Sequence, residues 1–288
     1  MEKDSEEWLY EINSKQSLLA IDFKEIWRYR DLLMLFVRRD LVATYKQTVL
    51  GPLWYLIQPL FTSVIFTLVF NNIATISTGG VPPFLFNLAG VTLWGYFKQC
   101  LTNTSNTFSA NAGLFAKVYF PRIIPPLSQS VSSLFKLAIQ LFIFLFFYLY
   151  YIYQGYTITP NGTLWFFPIL LLNMAIFGLG TGMIISSLTT KYRDFRILIG
   201  FAVNLLMYVS AVMYPIEEVR NSKALGEYSW VVEYNPIAIL IESFRYMTLC
   251  EGIFKWSQLA LCFGVSMVLF VFGLLIFNKT AKTFIDTV

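Results

Sequence analysis

The sequence predicts an all-α integral membrane protein. It has six transmembrane helices, both termini cytoplasmic, an N-terminal amphipathic interface helix, and re-entrant outer helices between spans five and six. Three observations carry this prediction. Hydrophobic residues make up 57% of the chain and charged residues 13%, about half the ~25% typical of soluble domains. Six apolar runs approach the ~20 residues a helix needs to cross ~30 Å of hydrocarbon. Most of the basic residues fall on one side of the membrane that those runs define. The runs are continuously apolar rather than alternating, which selects helices over a barrel.

The expected spans run about 53–74, 84–103, 130–151, 164–188, 197–214 and 259–277. Turn-forming or charged linkers separate them, "TGGVPP", "PRIIPP", "GYTITPNG" and "KYRDFR". With the N-terminus inside, segments 1–52, 104–129, 189–196 and 278–288 are cytoplasmic and hold fifteen of the 21 Lys and Arg. The loops around Gly79 and Gly155 hold none. The fifth connection carries Arg220, Lys223, Arg245 and Lys255 together with six Glu. The chain thus divides into a cytoplasmic N-terminal segment, 1–50, and a membrane domain, 51–288. Its start, "MEKDSEEWLYEINSKQ", is polar and of mixed charge, unlike a secretory leader.

Two elements are not spans. Between Phe23 and Lys46, Phe23, Trp27, Leu33, Val37 and Leu41 recur at helical spacing. Arg28, Asp31, Arg38, Arg39 and Lys46 take other positions, so this helix is expected to lie in the membrane surface. Residues 217–255 include "EYNPIAILIESFRYMTL", apolar enough to dip into the bilayer yet carrying Glu242 and Arg245.

The inventory of reactive groups is sparse. The chain has no His and only Cys100, Cys250 and Cys262, well separated, so a catalytic metal site and a structural disulfide are not expected. No GxxxxGK[ST] occurs, so ATP hydrolysis by a P-loop of this chain is not expected. Between Leu41 and Pro215 the only acidic residue is Asp194. Ion-coupled carriers and membrane-embedded acid–base enzymes usually place carboxylates within the spans. The chain is therefore read as no enzyme and as binding no cofactor or nucleic acid itself.

The membrane segments instead carry aromatic and neutral polar side chains. Trp54, Gln58 and Thr62 share a face of span one with Tyr55 and Phe66 nearby; Asn204 and Tyr208 share a face of span five with Gly200; Gln99, Asn103 and Asn106 recur along span two. Such groups suit a neutral polyhydroxy ligand, whose hydroxyls meet amides and whose C–H faces meet rings. They equally serve to join helices. Lys98 and Lys136 lie toward the cytoplasmic halves of spans two and three. They either snorkel to the interface or meet an anionic phosphate.

Several stretches resemble the ABC-2 type permeases that export polysaccharides such as O-antigen, capsule and teichoic acid. These are "RRDLVATYKQTVLGPLWYLIQPL", "NAGLFAKVYFPRIIPPL", "KYRDFR" and "NPIAILIESFRY", in that order from about Ile26 onward. The resemblance implies a homodimeric, multi-pass inner-membrane permease. It is joined to two copies of a separate ABC ATPase subunit that holds the ATP and magnesium. It implies an undecaprenyl-pyrophosphate-linked glycan as substrate and membrane lipids as neighbours. By resemblance, the segment from Asn111 to Tyr119, with Leu114, Phe115 and Lys117, is the coupling helix that docks into the ATPase. The expected contacts with the pyrophosphate are Arg38, Arg39 and Lys46, for which lipid-headgroup anchoring is the competing role. The expected channel wall is Trp54, Tyr55, Gln58, Thr62, Phe66, Asn204 and Tyr208. Gly51, Pro52 and Pro59 form an expected hinge, with Gly51 ending the surface helix, Pro52 opening span one and Pro59 permitting a kink. Two other readings stand beside this one: an ABC-2 permease for small hydrophobic compounds or other lipids, and a glycosyl- or acyltransferase relying on Glu233 and Glu242.

Overall fold

A computed structural model describes residues 23–46, 50–115, 117–192, 194–221 and 226–284. The N-terminal 1–22 and Lys223 lie outside the described residues. All regular structure among the described residues is helical. Four helical segments are long and apolar enough to cross a membrane, Trp54–Ile73, Ile124–Tyr153, Gly162–Lys191 and Trp256–Thr283.

These four coincide with expected spans one, three, four and six. The run expected as span two is α4 (Pro83–Ser105), which is long enough but more polar and is not among the four, with Asn87, Thr92, Gln99 and Asn103 along it. Its position explains its composition, because sixteen of its 23 residues are buried. α3 (Trp54–Phe66), α6 (Ile124–Tyr153), α7 (Phe167–Lys191), α8 (Phe195–Val209) and α11 (Pro236–Leu249) all touch it. A helix surrounded by helices need not be apolar all round, provided its polar groups find partners. The run expected as span five is α8, which is only fifteen residues long and also falls outside the four.

Glycines set the closest approaches. Gly178 and Gly182 of α7 meet Cys100, Leu101 and Thr104 of α4. Gly180, between them in sequence, meets the backbone of α12 (Trp256–Phe284) at Phe270 and Gly273. One helix thus packs backbone-close on two sides, the use of small residues expected where lipid supplies no hydrophobic drive for helix association.

The surface helix is broken in two, α1 (Phe23–Arg28) and α2 (Arg30–Tyr45), at Tyr29. α2 buries Phe36 and Val37 and leaves Trp27, Met34 and Leu35 exposed nearby, so apolar residues lie on both its faces. Phe36 meets Phe120 edge-on at 5.8 Å, and Phe120 meets Phe115 of α5 (Thr107–Phe115) at 5.6 Å. Phe108 of α5 stacks on Phe277 of α12 at 4.6 Å. Outside the bundle, α9 (Ile216–Asn221) and α10 (Ser229–Glu233) precede α11. Arg220 joins α9 to α10 by an ion pair with Glu233 at 2.9 Å. That hydrogen bond holds the Glu233 carboxyl below its ordinary range.

Candidate translocation face

α3 and α8, the two helices expected to form the wall, are covered least among the membrane helices. α8 buries one residue, Val203, and α3 buries only Pro59, Ser63 and Phe66. Trp54 and Tyr208 are about half exposed, at 52% and 50%, and Gln58 and Asn204 are also exposed. Tyr55 and Thr62 are half-buried, and Phe66 is buried against Phe70 at 5.8 Å. Four of the seven expected wall residues therefore lie on open surface, while Phe66 packs inward.

Pro59 has a specific consequence at Tyr55. Lacking an N–H, it leaves the Tyr55 carbonyl without its helical donor. Gln140 Nε2 of α6 supplies one at 3.4 Å, across the helix interface. Lys136, one turn earlier on α6, places Nζ 4.9 Å from the centre of the Tyr55 ring. On α8, Asn204 Oδ1 accepts from Lys98 Nζ of α4 at 3.2 Å. Each expected wall helix is thus tied at one of its expected wall residues to a lysine of the helix behind it.

The top of α3 departs from α geometry. Thr67–Ile73 is a π-helical turn, a conformation often found at functional sites. Asn87 Nδ2 donates to Thr67 Oγ1 at 3.1 Å and to Asn71 Oδ1 at 2.8 Å. Asn71 in turn donates to the Ile76 carbonyl at 2.9 Å. The top of α8 is held by α11. Arg245 is fully buried, over the Phe86 ring at 3.7 Å. Its guanidinium donates to the Ala211 carbonyl at 2.8 Å, to the Val212 carbonyl, and to Glu242 Oε2 at 3.3 Å. Asn235 caps α11 through the Ile237 N–H and also donates to the Val209 carbonyl and Ser210 Oγ, both at 3.2 Å. Sequence reading placed Glu242 and Arg245 in the outer element but not their partners; a charged pair in an apolar stretch is the signal that pointed there.

Gly51 has a positive φ of 48° with open space around its Cβ position, so backbone conformation alone selects glycine there. The expected surface helix ends at Tyr45, within one residue of its expected end and six residues before Gly51, with Lys46 already extended. Gly51, Pro52 and Leu53 instead form a short 3₁₀ turn that leads into α3. The helix carrying the expected coupling residues also has other bounds, Thr107–Phe115 with a kink at Asn111. Asn111 and Phe115 are buried and Leu114 half-buried, while Lys117 and Tyr119 stand exposed beyond the helix end. Of the expected phosphate contacts, Arg38, Arg39 and Lys46 are all exposed. Arg39 pairs with Asp40 at 2.9 Å and lies over the Phe36 ring at 4.6 Å.

Four helices long and apolar enough to span a membrane, three of them packed on the more polar α4, make this a multi-pass membrane protein. The chain belongs to the ABC-2 type transporter family, whose model matches residues 31–249. It is similar to the O-antigen export system permease protein RfbA of Klebsiella pneumoniae, 28% identical over 259 residues, covering 89% of this chain and 94% of the relative. A protein of the same name from Myxococcus xanthus is 24% identical over 265 residues, covering 92% and 98% of the two chains.

Proposed function

We propose that this chain is the permease subunit of an ATP-driven exporter that moves a lipid-linked polysaccharide across the cytoplasmic membrane. The observation that carries this reading is the similarity to O-antigen export permeases over nearly the full length of both chains. The open sides of α3, with Trp54 and Gln58, and of α8, with Asn204 and Tyr208, support it, since rings and amides offer many weak contacts along which a polymer can slide. None of these four residues belongs to a described ion pair that would hold the polymer in place.

On this reading six spans place both termini inside. A homodimer closes the two open helices around a shared path, and two copies of a separate ABC ATPase drive it. Lys117 and Tyr119, exposed at the elbow after α5, face the ATPase. The buried chain from Phe115 through Phe120 to Phe36 carries the motion to the surface helix. The lipid carrier's diphosphate reaches the inner rim at Arg38, Arg39 and Lys46, and the glycan then follows the wall.

The test is reconstitution of the permease with its cognate ABC ATPase, followed by ATPase assays. Polyprenyl-diphosphate-linked glycan stimulates hydrolysis, and Tyr119→Ala abolishes that stimulation in a complex that still assembles. Stimulation by small apolar amphiphiles but not by the glycan lipid, or failure of any ATPase to co-purify, overturns the reading.

A further inference from the structure

We infer that Lys98 and Lys136 form an anion-binding station for the diphosphate of a lipid-linked substrate, set behind the two wall helices and separate from the surface cluster at Arg38, Arg39 and Lys46. The inference deepens the glycan-export reading and rests on it.

The argument starts from charge. A lysine within a span is costly and is normally offset by a carboxylate or by reaching the headgroups. Neither lysine has a carboxylate within ion-pair distance among the described residues. The sequence offers little to supply one, since Asp194 is the only acid between Leu41 and Pro215. Lys98 is seven residues short of the end of α4 at Ser105, roughly 10 Å along the axis. Lys136 is six residues inside the expected start of span three at Ser130, roughly 9 Å along α6.

The second observation is what the lysines touch. Lys98 gives one hydrogen bond to the neutral Asn204, and Lys136 lies over the Tyr55 ring. An ammonium has three donors. One amide oxygen and one ring face leave most of that capacity unused, and neither partner neutralises the charge. Both lysines are half-buried, and the approaches of Cys100 to Ser130 and of Gly95 to Gln140 bracket them at one level of the α4–α6 interface. Asn204 and Tyr55 hold the two long side chains in place and thereby lower the entropy lost when an anion binds. The missing partner is a compact, multiply charged anion, and a diphosphate supplies several acceptor oxygens for both ammonium groups.

Snorkelling to bulk phospholipid headgroups uses the same phosphate chemistry, and the experiment separates the two sources. The permease–ATPase complex is placed in nanodiscs of phosphatidylcholine and titrated with undecaprenyl diphosphate, with neutral undecaprenol and with phosphatidylglycerol, while ATPase rate is read. Undecaprenyl diphosphate half-saturates the wild type at lower concentration than undecaprenol does. Lys98→Gln combined with Lys136→Gln raises the half-saturating diphosphate concentration by about tenfold or more, the scale of one lost charge-assisted hydrogen bond, and leaves the undecaprenol response in place. Lys98→Arg with Lys136→Arg restores the preference for diphosphate, which a purely structural role does not explain. If the double Gln variant fails to assemble, each single Gln variant is read in the same way.

An assembled Gln variant with a wild-type diphosphate response overturns the inference and leaves the exporter reading intact. Phosphatidylglycerol substituting fully for the diphosphate also overturns it, in favour of headgroup anchoring. A wild type that ignores undecaprenyl diphosphate overturns this station, and one that also ignores the glycan-bearing polyprenyl diphosphate of the reconstitution assay overturns the exporter reading with it.

Discussion

Arg245 shows how much one side chain organises. It is fully buried, and its two Nη groups donate to Glu242 and to carbonyls of the loop that follows α8. That loop needs holding, because Ala211 sits at a φ of 51°, a left-handed conformation that costs an L-residue roughly 1–2 kcal/mol. Gly90 of α4 makes room, since a Cβ there would meet both the Val212 carbonyl and the Arg245 guanidinium. Removing one member of a buried pair costs about 3–5 kcal/mol, because the other charge is stranded. Arg245→Gln is therefore expected to lower the thermal midpoint of the detergent-solubilised permease strongly, read by fluorescence-detected size exclusion. Adding Glu242→Gln is expected to recover part of the loss. Full stability in the single variant contradicts the clamp.

Among the elements, α7 is the most tightly specified. Its "GLGTG" run turns Gly178 and Gly182 toward α4 and Gly180 toward α12. A side chain at Gly180 would collide with backbone, which does not move aside as a flexible side chain does. Gly180→Leu is expected to separate α7 from α12 and to abolish the folded species. Gly264→Leu on α12, where a Cβ meets nothing within 4 Å, is expected to be tolerated. Both are read as the yield of monodisperse protein after extraction, and equal yields would refute the packing argument. α3 shows the opposite strategy. Pro59 removes one rung of its ladder and Gln140 of a neighbouring helix supplies the missing donor, so the helix is supported from outside the element.

Across the whole molecule, the arrangement makes a definite topological prediction. Cys250, at the end of α11, is exposed, whereas Cys100 and Cys262 are buried. With six spans and the N-terminus inside, Cys250 faces out and the elbow at Lys117 faces in. In right-side-out vesicles a membrane-impermeant maleimide is expected to label Cys250, and to reach a Lys117→Cys variant only after permeabilisation. The reverse pattern would refute the assigned orientation.

The sequence by itself determined where the helices are. Span bounds read from apolar runs lie within a few residues of the observed helices at most ends, because a bilayer imposes a length and a polarity that any spanning helix must display locally. The motifs that mark the family were also local and contiguous. The candidate wall was legible only in part. Trp54 and Gln58 do share an open face, but the same run gave no sign that Phe66, two turns on, turns inward. Only the tertiary structure decided which polar residues meet. Asn71 with Asn87, Gln140 with the Tyr55 carbonyl, Lys98 with Asn204 and Arg245 with the loop after α8 are all contacts between segments remote in sequence. Hydropathy marks a polar group as costly in lipid, but the partner that offsets the cost is chosen by how the helices pack.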